Sequence, residues 1–300
     1  MTTRYHVGEA RTTQRLQKLL VATDFSANAE VALKWAIELA TLHQADITLT
    51  HVLDSRHPAA SGGETSLRDI ADKNLAHAER LARKGGVSVR SERTNGKPWE
   101  VIPKLASEIG ADLVVIGALG ASNLGGRLLG STADRIVRSA ETPVVTMHPG
   151  SRTEAPLFRT VVAAVDFSEA SNWAVDTAVR VVRPAPSRLV LLHVVAMTID
   201  YPSSSHRVAG PKYWDEMERE AASQLEKMAG PLRGEQLQVE VKTVRGLPSE
   251  AILGECRTLS ADLIAVGTQG RSGLSHFFLG SVAEWVLHRA ERPVLTVRKT

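Results

Sequence analysis

Two glycine-rich loops with the same spacing are the residues of this sequence best suited to chemistry. Nine residues separate Gly117-Ala118-Leu119-Gly120 from Gly130-Ser131, and nine residues separate Gly267-Thr268-Gln269-Gly270 from Gly280-Ser281. Glycines let the backbone approach a ligand closely and adopt positive φ. A Gly-Ser pair that opens a helix offers free amides and a positive dipole end to a phosphate. The pattern predicts two phosphate-binding loops; the alternative is glycine turns with a serine that only caps a helix.

A second set of polar residues follows short apolar runs. Asp24 and Asp166 each come directly after the first run of their half, where the chain turns towards a helix. Such a carboxylate can accept a ribose hydroxyl or hold a metal on the phosphates, and the alternative is a turn or a helix cap. His51 and His193 end the second apolar run of each half. We interpret them as packed histidines, because no partner at metal-ligand spacing accompanies them.

Several catalytic signatures are missing from the sequence. It contains no Gly-x4-Gly-Lys-Ser/Thr, no Gly-x-Gly-x-x-Gly after a first strand and no Gly-x-Ser-x-Gly. These are the loops of phosphate-transferring, dinucleotide-binding and hydrolytic sites. We therefore predict no catalytic residue and no protein-ligated metal.

The loops lie at matching places in a chain that repeats itself. Asp24-Phe25-Ser26 recurs as Asp166-Phe167-Ser168 at an offset of 142, and the glycine loops recur at an offset of 150. A repeat of this length indicates duplicated domains. We predict domains at 18–148 and 158–298, an N-terminal tail at 1–17 and a linker at 149–157, which contains Pro and Gly.

Each copy alternates short apolar runs with longer amphipathic segments. This alternation predicts a doubly wound α/β domain, with a five-stranded parallel sheet covered by helices on both faces. Sheets of this kind bind ligands beyond the carboxyl ends of their strands, which is where both loops and both aspartates fall.

Composition narrows the class of protein. A hydrophobic fraction of 43% and a charged fraction of 23% are those of a globular protein. The net charge of +3 comes from scattered residues, so no nucleic-acid partner is predicted. The sequence shows neither a signal peptide nor an apolar stretch of about 20 residues, so we expect a cytoplasmic protein without a membrane partner. Cys256, the one cysteine, is expected to be a small buried residue.

The Asp-Phe-Ser triplets, the His-Val pairs at His51 and His193, and the Gly-x2-Gly-x9-Gly-Ser loops together resemble the universal stress protein family in its tandem form. The resemblance covers nearly the whole chain. It implies a Rossmann-like fold with strand order 3-2-1-4-5 and membership of the ATP-binding branch.

The resemblance also assigns roles to individual residues. It implies that Asp24 and Asp166 hold the ribose or a metal, with Mg²⁺ as the candidate, and that the backbone of Val52 and Val194 meets adenine. It places a phosphate-facing cation at Arg271. The residues implied to cradle ribose and phosphates are Gly117, Gly120, Gly130, Ser131, Gly267, Gly270, Gly280 and Ser281.

The two copies differ at one of these positions. Ala121 stands in the first copy where the second has Arg271, so we expect weaker nucleotide binding in the first half unless Arg127 supplies the charge. The resemblance further implies pairing of the last strands, 144–147 with 294–297, as a pseudo-dimer within the chain; a homodimer of whole chains is a further candidate. We expect two separate sheets, related by a near-twofold axis, with these strands adjacent.

The functional prediction is an ATP-binding protein of stress response or signalling that acts on an unidentified protein partner. A slow ATPase or phosphotransferase and a scaffold stabilised by nucleotide are the alternatives.

Overall fold

A computed structural model describes residues 14–54, 64–120, 129–155, 157–197, 211–234, 237–270 and 279–298. Strands and helices alternate in both halves. The first half contains β1 (Lys18–Ala22), α1 (Ala27–His43), β2 (Asp46–Leu53), α2 (Glu64–Lys84), β3 (Val89–Asn95), α3 (Pro98–Ile109), β4 (Leu113–Gly117), α4 (Ser131–Ser139) and β5 (Val144–Met147). The second half contains β6 (Thr160–Ala164), α5 (Glu169–Val182), β7 (Ser187–Ala196), α6 (Pro211–Ala229), β8 (Leu237–Gly246), α7 (Pro248–Thr258), β9 (Leu263–Gly267), α8 (Ser281–Arg289) and β10 (Val294–Val297).

The strands form one ten-stranded sheet, in the order β3-β2-β1-β4-β5-β10-β9-β6-β7-β8. Within each half the pairs are parallel, and the order is the predicted 3-2-1-4-5. The expectation of two separate five-stranded sheets is wrong, because β5 and β10 pair antiparallel. An edge strand carries unpaired N–H and C=O groups, and each of these two edges satisfies the other.

The β5–β10 seam is symmetric. Val144 lies opposite Thr296 and Thr146 lies opposite Val294. Since Val294 and Thr296 are the repeat counterparts of Val144 and Thr146, each pair is the counterpart of the other. The Thr146 hydroxyl donates to the Val294 carbonyl at 3.3 Å, and the Thr296 hydroxyl donates to the Val144 carbonyl at 3.1 Å. The two halves therefore meet around a local twofold axis that passes through the seam.

Helices cover both faces of the sheet and bury two apolar cores. Residues of α1, α2, α5 and α6 pack on one face, and residues of α3, α4, α7 and α8 pack on the other. Each core runs through both halves; Trp35, for example, meets Phe158 edge-on with ring centroids 5.9 Å apart. Within the described ranges, no helix combines the length and apolar character needed to cross a bilayer.

A buried histidine lies beside the seam. His148 directly follows β5, has no exposed surface, and neither of its ring nitrogens has a hydrogen-bond partner among the described residues. Burial lowers the pKa of His148 to about 4, and the nearby His288 of α8 acts in the same direction. The folded protein therefore keeps this imidazole neutral well below pH 6.5.

We expect His148 to make the fold sensitive to acid. The unfolded chain takes up this proton near pH 6.5 and the folded chain only near pH 4, so the stability is complete above 6.5 and is lost as the pH falls through that window. The loss is about 3 kcal/mol in total, with about 2 kcal/mol of it between pH 7 and 5. Urea unfolding at pH 7 and pH 5 measures the free energy of unfolding, and its decrease between these values should be about 2 kcal/mol smaller in His148→Gln than in the unmodified protein. An equal drop in both proteins would contradict the assignment.

Candidate functional site

The turn after the first strand of each half is built in the same way. Phe25 and Phe167 have positive φ, 61° and 63°, which is unusual for a bulky side chain and points to a constrained turn. Asp24 Oδ1 accepts the Ser26 N–H at 3.0 Å, and Asp166 makes the same contact with its own serine at 2.9 Å. One oxygen of each aspartate thus forms the turn that was the alternative to ligand binding.

The other carboxylate oxygen of each aspartate lies against the glycine loop. A Cβ on Gly120 would be 2.9 Å from Asp24 Oδ2, and a Cβ on Gly270 would be 3.0 Å from Asp166 Oδ2. Any side chain at these two glycines would press on the carboxylate and cover it. The first turn and the glycine loop therefore meet in both halves, as the sequence predicts.

Each glycine loop closes back on the helix that follows it. The Gly130 N–H donates to the Ala118 carbonyl at 2.7 Å, and the Gly280 N–H donates to the Thr268 carbonyl at 2.8 Å. These bonds bring the start of α4 beside Gly120 and the start of α8 beside Gly270. Aspartate, loop and helix start consequently form one site at the carboxyl edge of each half-sheet.

Close packing, and not a left-handed backbone, explains four of the site glycines, because an added Cβ would lie 3.0 Å or less from a neighbouring atom at Gly117, Gly120, Gly267 and Gly270. None of the six predicted site glycines has a φ in the positive range, so the expectation of positive φ is wrong. A Cβ on Gly267 would lie 2.6 Å from the Ala170 carbonyl carbon, and one on Gly117 would lie 2.9 Å from Asn28 Oδ1. These glycines let the end of β4 or β9 touch the first turn of α1 or α5.

Among the described residues, no side chain caps the helices that begin at Ser131 and Ser281. Their N-cap residues are Gly130 and Gly280, which cannot use the first amides, whereas Ser26 caps α1 by accepting from the Ala29 N–H at 3.2 Å. Ser131 and Ser281 are exposed at these starts. The amides and the positive dipole end of α4 and α8 are thus arranged for an anion.

Val52 and Val194 present backbone groups towards the same edge. The Thr50 carbonyl accepts from the Thr23 N–H at 2.9 Å and so faces β1. Alternate residues of a strand point their backbone groups to the same side, and β1 ends at Ala22. The N–H and C=O of Val52 therefore face the region beyond β1 where Asp24 lies. In the second half, the Val165 N–H donates to the Leu192 carbonyl at 2.8 Å, so Val194 has the same orientation.

The strand-end histidines brace the turns. His51 Nδ1 donates to the Thr23 carbonyl at 2.7 Å, and its ring lies 4.4 Å from the ring of Phe25; His193 makes the equivalent bond at 2.7 Å. Burial lowers the pKa of His51, an effect that its backbone hydrogen bond and the nearby Asp24 partly oppose. These contacts agree with the interpretation of packed histidines that hold the loop geometry.

Sequence reasoning missed one positioning residue. Asn28, in the first turn of α1, accepts the Leu119 N–H with its Oδ1 at 2.9 Å and so fixes the first glycine loop. Its counterpart is Ala170, so the repeat gave no signal for it; in the second half the Ser168 hydroxyl instead donates to the Gln269 carbonyl at 3.3 Å. The predicted Arg271, and the Ala121 and Arg127 compared with it, lie outside the described residues.

Comparisons with known proteins agree on one family. The model of the universal stress protein family matches residues 15–148 and 157–298. A universal stress protein of Mycolicibacterium smegmatis is 32% identical over 294 residues, which cover 93% of this chain and 96% of that protein. One of Mycobacterium tuberculosis is 29% identical, with 94% and 96% covered. The crystal structure of a universal stress protein from Archaeoglobus fulgidus shares the fold, with a TM-score of 0.71, 22% identity, and 94% and 98% covered.

Proposed function

The chain belongs to the universal stress protein family, and we propose that each of its halves binds an adenine nucleotide, with ATP as the favoured ligand. The observation that carries this proposal is the meeting of a carboxylate with an uncapped helix start across a bare glycine, at Gly120 in one half and Gly270 in the other. A carboxylate suits hydroxyl donors and a helix start suits phosphates, so the pair fits a ligand that carries both.

The remaining contacts follow from this arrangement. The phosphates would lie at Gly130-Ser131 and Gly280-Ser281, and the ribose would lie against the aspartate of the same half. The backbone of Val52 or Val194 would bind the edge of adenine, as backbone groups do when they fix a ligand's orientation. If Mg²⁺ accompanies the phosphates, Asp24 in one half and Asp166 in the other would supply the carboxylate that holds it.

We further propose that the protein acts by binding, as a nucleotide-dependent component of a stress response or signalling step with a protein partner. We assign no catalytic residue. Among the described residues, His51 and His193 lie beside the first turns of the two sites, and both commit Nδ1 to a backbone carbonyl. A slow ATPase is the alternative, and turnover measured with and without a partner separates the two.

The ribose contact gives a sharp test of the proposal. In calorimetry on the full chain, 2′,3′-dideoxy-ATP should bind about tenfold more weakly than ATP, because a hydrogen bond to a charged group is worth roughly 1.5–3 kcal/mol. Asp24→Asn and Asp166→Asn keep an Oδ1 acceptor for the turn and remove the charge. The double variant should bind both nucleotides alike.

Two results would count against nucleotide binding at these loops. One is the absence of ATP binding by a folded chain. The other is a preference for ATP over the dideoxy compound that survives in the double variant. Mass spectrometry of nucleotide released from freshly purified protein identifies the natural ligand independently.

A further inference from the structure

A cavity of about 100 Å³ opens at the amino-terminal edge of the sheet in the second half. Its floor is made of the buried, mostly apolar side chains of Leu253, Cys256 and Ile264. Burial raises the pKa of the Cys256 thiol to about 12, so the floor carries no negative charge at neutral pH. Because Ile264 is the second residue of β9 and Gly267 is the last, the cavity lies about 10 Å along the strand from the nucleotide loop.

The rim of this cavity is basic. Arg257, Arg289 and Arg292 line it together with one acid, Glu291, and three positive charges less one negative leave a net charge of +2. Arg257 and Arg289 are exposed and Arg292 is half-buried. We call this feature the arginine cavity.

The first half shows that the fold does not need these arginines. At an offset of 150, the first half has Ser107 for Arg257, Ser139 for Arg289 and Thr142 for Arg292. Two of the arginines, Arg257 and Arg289, lie in the last turn of a helix, where a cation complements the dipole. The equivalent helices α3 and α4 of the first half carry no cation at those positions, so helix capping alone does not explain a set of three.

One of the arginines is held in place by an aromatic ring. The Arg289 guanidinium carbon lies 3.4 Å from the centroid of the Trp285 ring. Stacking on a ring face fixes the guanidinium and leaves its N–H groups, which lie in its own plane, available to an acceptor. The first half has no equivalent arrangement, because its counterpart of Trp285 is Arg135, which stacks on Trp99 of the neighbouring helix at 4.3 Å.

We propose that the arginine cavity binds a phosphate group, either inorganic phosphate or the phosphate of a small monoester. The guanidinium fork matches phosphate oxygens in pairs, and a net charge of +2 balances the charge of −1.5 to −2 that a phosphate monoester carries at about pH 7. The volume equals that of about three water molecules. It therefore suits a single phosphate and is too small for a nucleotide, which needs a pocket of about 300 Å³ or more.

The test uses NMR to follow the indole N–H resonances of the five tryptophans in the full chain. Sodium phosphate is titrated at constant ionic strength into the Gly130→Asp/Gly280→Asp background, in which the nucleotide loops repel phosphate. The Trp285 resonance, identified by Trp285→Phe, should shift and saturate, while that of the core residue Trp35 should not move. This readout is independent of whether the loops bind nucleotide.

The matched variant replaces two arginines with the residues of the first half. Arg257→Ser/Arg292→Thr keeps Arg289 on Trp285 and should weaken phosphate binding at least tenfold. Arg80→Ser/Arg152→Ser removes the same charge elsewhere on the surface and should change it less than twofold. Glycerol 3-phosphate distinguishes the sources: tighter binding than inorganic phosphate identifies a monoester, and equal binding identifies free phosphate. An unsaturable shift at Trp285, or equal affinity in the two double variants, would overturn the proposal.

Discussion

Replacing Gly280 with aspartate is expected to remove tight ATP binding from the intact chain while leaving helix α8 folded. Gly280 is the N-cap of α8, with extended backbone angles that aspartate adopts readily. A Cβ there would make only ordinary contacts, at 3.5 Å from the Thr268 carbonyl oxygen and 3.7 Å from the Gly270 nitrogen. Aspartate is also a preferred N-cap residue. The loss of binding would therefore come from the site and not from unfolding.

The expected loss is at least about 100-fold. The new carboxylate accepts hydrogen bonds from the helix amides that the phosphates would use. It also repels the phosphates, because two unit charges of the same sign about 4 Å apart near a protein surface repel each other by roughly 4 kcal/mol. Calorimetry on the intact chain measures the change. Gly280→Asn is the matched control, because it caps the same amides without charge and so should lose less affinity. Tight binding that survives Gly280→Asp in a folded protein would show that the second loop is not the site.

The same substitution in the first half tests the difference between the two sites. Gly130→Asp should remove only a weaker phase, because Ala121 stands where the second loop has Arg271. One lost charge-assisted hydrogen bond corresponds to roughly a tenfold difference in affinity. The described parts of the two loops close in the same way, with bonds of 2.7 and 2.8 Å, although Asn28 anchors the first loop and Ser168 the second. Equal affinities in the two halves would contradict this ranking.

The glycine loops show how far sequence reasoning reaches in this protein. The alternation of strands and helices placed the loops beside Asp24 and Asp166, because the carboxyl ends of parallel strands meet at one edge. The same reasoning expected positive φ at the glycines, which the structure does not show. Gly117 and Gly267 are instead constrained by contact with the first turn of another helix, as at Gly267 against Ala170, and a contact between residues nearly 100 positions apart leaves no periodic signal in a single sequence.

The seam was predictable only in part for a similar reason. The apolar runs at 144–147 and 294–297 indicated two last strands, but whether they lie adjacent or share hydrogen bonds depends on the approach of two domains. The register that pairs Thr146 with Val294 and the burial of His148 are products of that approach. The local sequence pattern predicts a strand, whereas the partner of its outer edge depends on which other strand docks there.

The first half expressed alone, as residues 1–150, is expected to form a dimer. Without β10 the outer edge of β5 loses its hydrogen-bond partner, and all four β5 side chains, buried in the full chain, lose cover on that side. An exposed apolar edge strand recruits another strand. A second copy offers Val-Val-Thr-Met in place of the Val-Leu-Thr-Val of β10, and the twofold symmetry of the seam means that this copy can pair in the same register.

Sedimentation of the isolated half measures this association, and Thr146→Pro tests its cause. Proline lacks the N–H that a residue of this ladder donates, so the variant should be monomeric, or bind at least about 100-fold more weakly, with unchanged helix content. A wild-type half that stays monomeric at high concentration, with native circular dichroism, would show that the apolar cores hold the two halves together and that strand pairing follows from their docking. A dimer that persists with proline would place the self-association elsewhere on the surface. The predicted outcome makes the intact chain the equivalent of a dimer joined in one polypeptide.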